Sequence, residues 1–134
     1  MEWLKGAVDY GIIGLLIIMS VVALSVALER HLVYRRIRPE DFPDKATLEK
    51  ELTRKLHLIA TIGSNAPYIG LLGTVLGIML TFYTIGLEGF MDTGKIMVGL
   101  ALALKATAVG LLVAIPAVTL YNFLLRRVKV LLLE

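Results

Sequence analysis

The sequence contains no cysteine, which excludes disulfide bonds and thiolate metal sites. Its two histidines, His31 and His57, have no second metal ligand nearby in the sequence, so we expect structural roles for both and no metal site. The sequence also lacks a Ser/His/Asp set, a metal-ligand cluster and a phosphate-binding loop. These absences argue against an enzyme and against an organic cofactor.

Charge is missing from three long stretches of a chain that is 57% hydrophobic. Residues 11–28 and 69–87 carry no charged side chain, and residues 96–125 carry only Lys105. Each stretch has the ~20 residues that a helix needs to cross ~30 Å of hydrocarbon. We therefore predict a single all-α integral membrane domain over residues 1–134, with transmembrane helices at about residues 8–28, 60–85 and 96–125.

Basic residues are scarce on one side of these spans. Only Lys5 and Lys95 flank the side that holds the outer loop at residues 86–95. The cytoplasmic loop and helix at residues 29–59 and the tail at residues 126–134 hold Arg30, Arg35, Arg36, Arg38, Lys45, Lys50, Arg54, Lys55, Arg126, Arg127 and Lys129. Short loops rich in Lys and Arg stay cytoplasmic, so we predict an N-terminus outside and a C-terminus in the cytoplasm. The net charge of +3 follows from this topology and does not indicate nucleic-acid binding.

The connector after the first span contains helix breakers followed by a helix start. Pro39 and Pro43 lack an amide donor, and Asp44 can cap a new helix. Apolar residues then recur at helical spacing, at Leu48, Leu52, Leu56 and Ile59. We expect this amphipathic helix to run without a gap into the second span, and we expect the second and third helices to be long and to extend into the cytoplasm.

Small residues line one face of each of the last two spans. Without a hydrophobic force between helices in lipid, close packing of small faces drives helix association. The two spans therefore predict a matched hairpin with packing positions at Gly70, Gly73, Gly77 and Gly110. Proline lies in both helices, and we predict kinks at Pro67 and Pro116.

Lys105 is a cation within the third apolar run. A lysine at the centre of a span costs roughly 2.5–3.5 kcal/mol on insertion scales and usually has a partner. The carboxylates of this chain lie near span ends, in loops or at the C-terminus, and Asp9 is interpreted as a solvated charge at a helix start. We therefore expect the partner of Lys105 to lie on another chain, or to be water or an ion.

Several segments of the last two spans carry a recognisable motif. They are Ala66-Pro67, Gly70-Leu-Leu-Gly-Thr-Val-Leu-Gly77, Ala106-Thr107-Ala-Val-Gly110-Leu, Ala114-Ile-Pro-Ala117 and Tyr121-Asn122. Together with Glu29-Arg30 after the first span, they closely resemble the ExbB/TolQ family of proton-driven motor proteins, which includes MotA. Within that family the sequence is more similar to the ExbB branch than to TolQ.

The resemblance implies a multi-pass protein of the bacterial inner membrane, with a periplasmic N-terminus, that forms a homopentamer around a central pore. It implies work with an ExbD-like single-span subunit and a TonB-like protein, in which the proton motive force energises TonB-dependent transport across the outer membrane. The pore-wall threonines of the family match Thr74 and Thr107. Their hydroxyls can donate to and accept from water without a fixed charge. Protons and bound membrane lipid are the ligands we expect.

The chain departs from the family pattern at Leu102, where a glutamate is usual, and Lys105 follows three residues later. We hypothesise that Lys105 reaches the pore and pairs with an aspartate expected in the transmembrane helix of the partner. The alternative is that Lys105 extends between subunits and is structural, because Thr107 lies ~160° away on the helical wheel.

Other functions are compatible with the same features. A TolQ-like or flagellar-stator-like motor subunit would work with a different partner. A passive oligomeric scaffold would use the small faces for assembly alone, and a buried lysine argues against it.

Overall fold

A computed structural model describes residues 2–89 and 92–133, apart from the side chain of Glu2. Phe90 and Met91 of the predicted outer loop, and the terminal residues Met1 and Glu134, lie outside the described residues. The described chain forms α1 (Glu2–Arg36), a 3-10 turn (Pro39–Asp41), α2 (Lys45–Leu52), α3 (Leu56–Glu88) and α4 (Thr93–Leu133).

Three of these helices, α1, α3 and α4, are long and apolar enough to cross a membrane, which confirms the prediction of three such helices. They contain 35, 33 and 41 residues. At ~1.5 Å per residue each is longer than ~30 Å of hydrocarbon. The helix α1 extends beyond residues 8–28 at both ends, and α4 continues as helix through residues 126–133 of the predicted tail.

The helices α3 and α4 form an antiparallel pair, and α1 packs against both of them. Contacts between α3 and α4 run in opposite directions along the two sequences, from Gly63 beside Val118 to Gly77 beside Ala103. The side chain of Leu16 on α1 is fully buried in a cluster with Ala66 of α3 and Ala114 of α4. Asp9 precedes Leu16 in α1, and its contact Lys105 precedes Ala114 in α4, so α1 and α4 run in the same direction.

A larger apolar core lies at the opposite end of the bundle from Asp9. The last turns of α1 and α4, the first turns of α3, and α2 meet there. The stripe predicted from sequence is buried in this core, at Leu48, Leu52, Leu56 and Ile59. The outward faces of the three long helices expose large apolar side chains, among them Met79, Leu112, Ile115 and Phe123. Such faces suit a hydrocarbon environment, because soluble monomers rarely expose large contiguous apolar patches.

The expectation that the connector helix continues into the second span was wrong. The helix α2 ends at Leu52, residues 53–55 form a turn, and α3 begins at Leu56. Lys55 has φ 68°, in the left-handed region that costs a non-glycine residue roughly 1–2 kcal/mol. The start of α2 agrees with the sequence interpretation, since Asp44 Oδ1 accepts a hydrogen bond of 2.7 Å from the Thr47 N–H. The apolar stripe stays in the core on both sides of the break.

Both transmembrane prolines lie inside helices that continue past them, Pro67 in α3 and Pro116 in α4. Each removes one amide donor from its helix, which favours a local bend. The kinks at these positions remain predictions.

Candidate functional site

The contact between α3 and α4 is built from glycine. We use the name glycine seam for the glycines Gly63, Gly70, Gly73, Gly77, Gly99 and Gly110. A methyl group added at Gly70 would lie 2.6 Å from the carbonyl oxygen of Ala106 and 3.1 Å from Gly110 Cα. One added at Gly110 would lie 2.7 Å from the carbonyl oxygen of Ala66. The two backbones therefore meet at Gly70 and Gly110 with no room for a side chain.

The seam continues along α3 at Gly73 and Gly77. A methyl group at Gly77 would lie 2.8 Å from Ala103 Cβ, and one at Gly73 would lie 2.7 Å from Ala106 Cβ. The same position at Gly73 would lie 3.0 Å from Ile12 Cγ2 of α1. The missing side chains thus let α4 approach α3 closely and let α1 pack into the groove between them.

Beside the seam, the hydroxyls of Thr74 and Thr107 contact each other across the two helices. Thr74 is 7% exposed and lies between the backbones, and its Oγ1 is 3.0 Å from the carbonyl oxygen of Ala103. Thr74 Oγ1 is also 3.3 Å from the carbonyl oxygen of Gly70 on its own helix. The same carbonyl oxygen lies 3.5 Å from Thr107 Oγ1. The close approach at Gly70 brings these four groups together.

The two hydroxyls can be hydrogen-bonded in two directions. In one arrangement Thr107 donates to Thr74 Oγ1 and Thr74 donates to the carbonyl oxygen of Ala103. In the other, Thr74 donates to Thr107 Oγ1 and Thr107 donates to the carbonyl oxygen of Gly70. Each hydroxyl can donate one hydrogen bond and accept two, so both arrangements are within its hydrogen-bonding capacity. Reversible polarity is the property that a group relaying protons requires.

Three other threonines of the long helices donate to a carbonyl oxygen of their own helix. Thr81, Thr84 and Thr119 each donate, at 2.8 Å, to the carbonyl oxygen four residues earlier. Thr107 is partly buried, and its hydroxyl differs from theirs in contacting the neighbouring helix α3. Its hydroxyl therefore links the buried Thr74 to the surface of α4 on the far side of the seam from α1.

Lys105 has a partner within the chain, contrary to the expectation from sequence. Its Nζ lies 3.1 Å from Asp9 Oδ2 on α1, and the two side chains are 46% and 32% exposed. The interpretation of Asp9 as a solvated end charge was therefore wrong. The residues are far apart in the sequence, but Asp9 and Lys105 each precede an arginine of their own helix, Arg30 or Arg126, by 21 residues. Because α1 and α4 run in the same direction, this equal spacing could have indicated that Asp9 and Lys105 lie beside each other.

The structure does not bring Lys105 together with the two threonines. Lys105 faces α1, whereas Thr107 faces α3 on the opposite side of the seam. Leu102, the position at which the family usually carries a glutamate, lines the same cleft as Asp9. The hydroxyl pair and the ion pair are thus two separate polar features of one helix bundle.

A third polar cluster joins α1 to the turn between α2 and α3, and we name its residues Glu29, Arg30, Tyr34 and Lys55 the arginine clamp. Arg30 is 2% exposed, and its Nη1 donates to the carbonyl oxygen of Glu51 at 2.9 Å. Tyr34 donates its hydroxyl proton to the carbonyl oxygen of Leu52. Glu29 accepts from Lys55 at 2.9 Å and from Arg30 at 3.2 Å.

The clamp explains why α2 ends where it does. The last carbonyls of a helix have no partner within it, and here Arg30 and Tyr34 supply donors for two of them. Lys55, whose backbone is left-handed, extends its side chain to Glu29 on the neighbouring helix. Sequence reasoning missed this cluster because its donors and acceptors lie on different helices.

No group of three His, Cys, Asp or Glu side chains within residues 2–89 and 92–133 is placed to hold a metal ion. The polar features of the described chain are therefore hydroxyls, backbone carbonyls and ion pairs. Such groups can position water, exchange protons or fix helices.

Comparison with known proteins relates the whole chain to one family. Residues 39–134 match the MotA/TolQ/ExbB proton channel family. The chain is 62% identical over 134 residues to the biopolymer transport protein ExbB of Aquifex aeolicus (strain VF5), covering 100% of this chain and 90% of the relative. It is 56% identical over 128 residues to the putative biopolymer transport protein ExbB-like 2 of Helicobacter pylori (strain ATCC 700392 / 26695), covering 96% and 85%. A biopolymer transport protein ExbB of Helicobacter pylori (strain J99 / ATCC 700824) is 49% identical over 131 residues, covering 98% and 90%.

Proposed function

This chain belongs to the MotA/TolQ/ExbB proton channel family, and from that premise we propose that it is the channel subunit of an ExbB-type motor. In this proposal it works with an ExbD-like single-span subunit and a TonB-like protein. The complex uses the proton motive force to energise TonB-dependent transport across the outer membrane. Its relatives are named as ExbB or ExbB-like biopolymer transport proteins, and these names support an ExbB-type motor over other motors of the family.

The observation that carries the proposal is the hydroxyl pair of Thr74 and Thr107. A proton path through a membrane needs polar groups in an apolar region, and their hydrogen bonds must be able to reverse. The pair meets both needs, because its hydroxyls contact each other and two backbone carbonyls at the seam. Its partly exposed member, Thr107, offers water or a partner helix access to the buried Thr74.

Assembly completes the path in this proposal. Thr107 is partly exposed at the surface of the chain, so we propose that several copies, a pentamer as in the family resemblance, surround a central pore onto which it faces. The partner helix in that pore carries the titratable carboxylate. One charge crossing 100 mV releases ~2.3 kcal/mol, which is enough to drive a conformational step.

Lys105 has a separate role in this proposal. Its ammonium is already paired with Asp9, so pairing with a carboxylate of the partner would first require loss of that contact. We assign Lys105 to holding α1 against α4 within one chain, whereas the structural alternative considered from sequence placed it between subunits. The basic residues clustered beside the arginine clamp support an inner-membrane orientation with the N-terminus periplasmic and the C-terminus cytoplasmic.

Proton flux into vesicles tests the hydroxyl pair directly. The full chain is reconstituted with its single-span partner, and flux is driven by a membrane potential. We expect Thr74→Val and Thr107→Val each to lower flux by at least about tenfold, the low side of what positioned proton-transfer groups contribute. Thr84→Val and Thr119→Val are matched controls on the same helices, since their hydroxyls bond only within their own helix. Equal flux in all four variants and the wild type would contradict the proposed path.

Co-purification distinguishes the remaining functions. An ExbD-like chain with one span and a membrane aspartate supports the proposed motor. A peptidoglycan-binding partner would instead indicate a flagellar-stator-like subunit, and a Tol-type partner would indicate a TolQ-like one. A complex that assembles normally but conducts no protons in the presence of its partner would indicate a passive scaffold.

A further inference from the structure

The outward side of α3 carries polar side chains in the half nearer the arginine clamp. Thr61, Asn65 and Tyr68 recur at spacings of four and three residues, and all three are exposed. Thr61 and Tyr68 each lie two residues from a seam glycine, Gly63 or Gly70, which is a rotation of ~200° on the helical wheel. The three side chains therefore lie on the side of α3 opposite α4, and we name Thr61, Asn65 and Tyr68 the polar flank.

The polar flank lies within the predicted second span. Asn65 is ten residues, or ~15 Å, beyond Lys55 of the arginine clamp. Further along, the same side of α3 is apolar, with Leu72, Val75 and Met79 exposed. An amide that faces hydrocarbon without a hydrogen-bond partner is strongly unfavourable. The polar flank therefore needs a partner that lipid tails do not provide.

The outward side of α4 presents hydrogen-bond acceptors. Leu112 and Thr119 each follow a residue of the contact with α3, Gly110 or Ala117, by two positions, and both are exposed. They therefore lie on the side of α4 that faces away from α3. Pro116 has no amide hydrogen, so the carbonyl oxygen of Leu112, four residues earlier, lacks its usual helical donor. The Thr119 hydroxyl can accept a hydrogen bond as well as donate one.

The polar groups of the two sides lie at matching depths. Gly63 of α3 lies beside Val118 of the antiparallel helix α4. Counted from that contact, Thr61 lies at about the depth of Thr119. Copies arranged around an axis along the membrane normal have no shift in depth between them. In such a ring the polar flank of one copy therefore meets the outward side of α4 in the next copy at the same depth.

We propose that the polar flank packs against the outward side of α4 in a second copy of this chain. Asn65 lies at about the depth of Pro116, and its amide donates to the Leu112 carbonyl oxygen of the next copy. The Thr61 hydroxyl donates to Thr119 Oγ1 of the same neighbour. The contact joins two different surfaces, so it repeats from copy to copy and closes in a ring. This inference rests on the assembly of several copies in the proposed function, and it identifies the surfaces that meet.

The arrangement leaves the hydroxyl pair uncovered. The helix α1 packs into one side of the groove between α3 and α4, and Thr107 is partly exposed on the other side. The polar flank and the outward side of α4 lie between these two sides. A ring joined through them therefore keeps α1 on one surface of the ring and Thr107 on the other.

Disulfide crosslinking tests which surfaces meet, because the chain contains no cysteine of its own. Thr61→Cys combined with Thr119→Cys in the full chain should give covalent dimers and a ladder of larger species when membranes are oxidised. Within one copy the two positions lie on opposite sides of the helix pair, too far apart for a disulfide. The control combines Thr61→Cys with Ala101→Cys, which lies 18 residues, or ~27 Å, from Thr119 along α4. We expect no ladder from it.

Native mass spectrometry of the assembled full chain in detergent tests the hydrogen bond of Asn65. We expect Asn65→Leu to raise the dissociation constant about threefold per contact, the average effect of a hydrogen bond between membrane helices. Thr84→Val is the matched control, since that hydroxyl donates to the Leu80 carbonyl oxygen within α3. In Pro116→Ala the Leu112 carbonyl regains a helical donor, so Asn65→Leu should then have little further effect.

Several outcomes would overturn the proposal. An intact oligomer that gives no ladder from Thr61→Cys with Thr119→Cys would place the contact elsewhere and leave the proposed function standing. Dimers from Thr61→Cys alone would indicate a symmetric contact between two copies of α3. Labelling of Asn65→Cys by a membrane-impermeant thiol reagent, without a ladder, would assign the flank to a water-filled space. A chain that stays a single copy in lipid would contradict the assembly in the proposed function as well.

Discussion

The glycine seam and the arginine clamp hold helices together by opposite means. In the seam, side chains are absent, and backbones meet so closely that a methyl group at Gly70 would lie 2.6 Å from a carbonyl oxygen. In the clamp, a long cationic side chain, Arg30, is 2% exposed and crosses from one helix to the carbonyl oxygen of Glu51. The first region excludes polar side chains, with the exception of threonine, and the second depends on them.

This difference follows from the surroundings of the two regions. Within hydrocarbon, a helix has satisfied its own backbone and gains from a neighbour mainly through close packing. The clamp lies where α2 ends and the chain turns, so carbonyls without helical partners must be satisfied by other donors. Shape therefore stabilises the membrane part, whereas charged hydrogen bonds stabilise the turn. The pair of Asp9 and Lys105 shows that an ion pair also forms beside the seam, between α1 and α4.

The largest expected effect is at the seam. We predict that Gly70→Ala destabilises the protein by about 3 kcal/mol or more, because the added methyl group meets backbone atoms of Ala106 and Gly110 that cannot move aside. Reversible unfolding in mixed detergent micelles measures this loss. Gly14→Ala is the control, since a methyl group there meets no atom within 4 Å. Its better helix propensity should make that variant equal to or slightly more stable than the wild type. Equal stability of the two variants would remove the distinction between the seam and the rest of the bundle.

The next largest effect is at the clamp. We expect Arg30→Met to cost about 2 kcal/mol, since the flexible side chain keeps much of the apolar packing but leaves the Glu51 carbonyl without its charged donor. The same unfolding measurement applies. Arg35→Met, on the same helix but exposed, should change stability by less than about 0.5 kcal/mol. A loss in Arg35→Met as large as that in Arg30→Met would assign the effect to net charge and not to the clamp.

A smaller effect is expected for the ion pair at the other end of α1. A double-mutant cycle with Asp9→Asn and Lys105→Met should give a coupling of about 0.5–1 kcal/mol, because both side chains are partly exposed and screened. We expect the coupling to fall when salt is added. A coupling of zero in unfolding measurements would mean that the contact does not hold α1 against α4.

The smallest expected effect is a pH dependence at the start of α2. The Thr47 backbone N–H bonded to Asp44 holds the pKa of that carboxyl below its ordinary value. The stabilisation is therefore present above the unfolded-state pKa and is lost as the pH falls below about 4. Asp44→Asn keeps a capping oxygen but cannot titrate, so its helix signal in circular dichroism should lose this acid-dependent step. An identical acid transition in the wild type and in Asp44→Asn would contradict the assignment.

Much of the fold could be predicted from local patterns. Uncharged runs predicted three apolar helices, and the structure has them at α1, α3 and α4. The motif residues of the last two spans resembled the family that residues 39–134 match. Prediction failed at Lys55 and at Asp9, where the outcome depends on a residue of another helix. A run of helix-forming residues gives no sign that one of them will adopt a left-handed conformation and pair with a glutamate 26 positions earlier.

The sequence alone determined which segments form the three long apolar helices, which faces are small and which end of each span is basic, because these properties follow from composition and from a spacing of 3.6 residues per turn. The tertiary structure alone decided that Lys105 pairs with Asp9, that Arg30 and Tyr34 satisfy the end of α2, and that Thr74 contacts Thr107. The physical reason is that each of these contacts depends on the rotation and axial position of one helix relative to another. Those two quantities are set by the packing of the whole bundle, and a periodic pattern within one helix does not contain them.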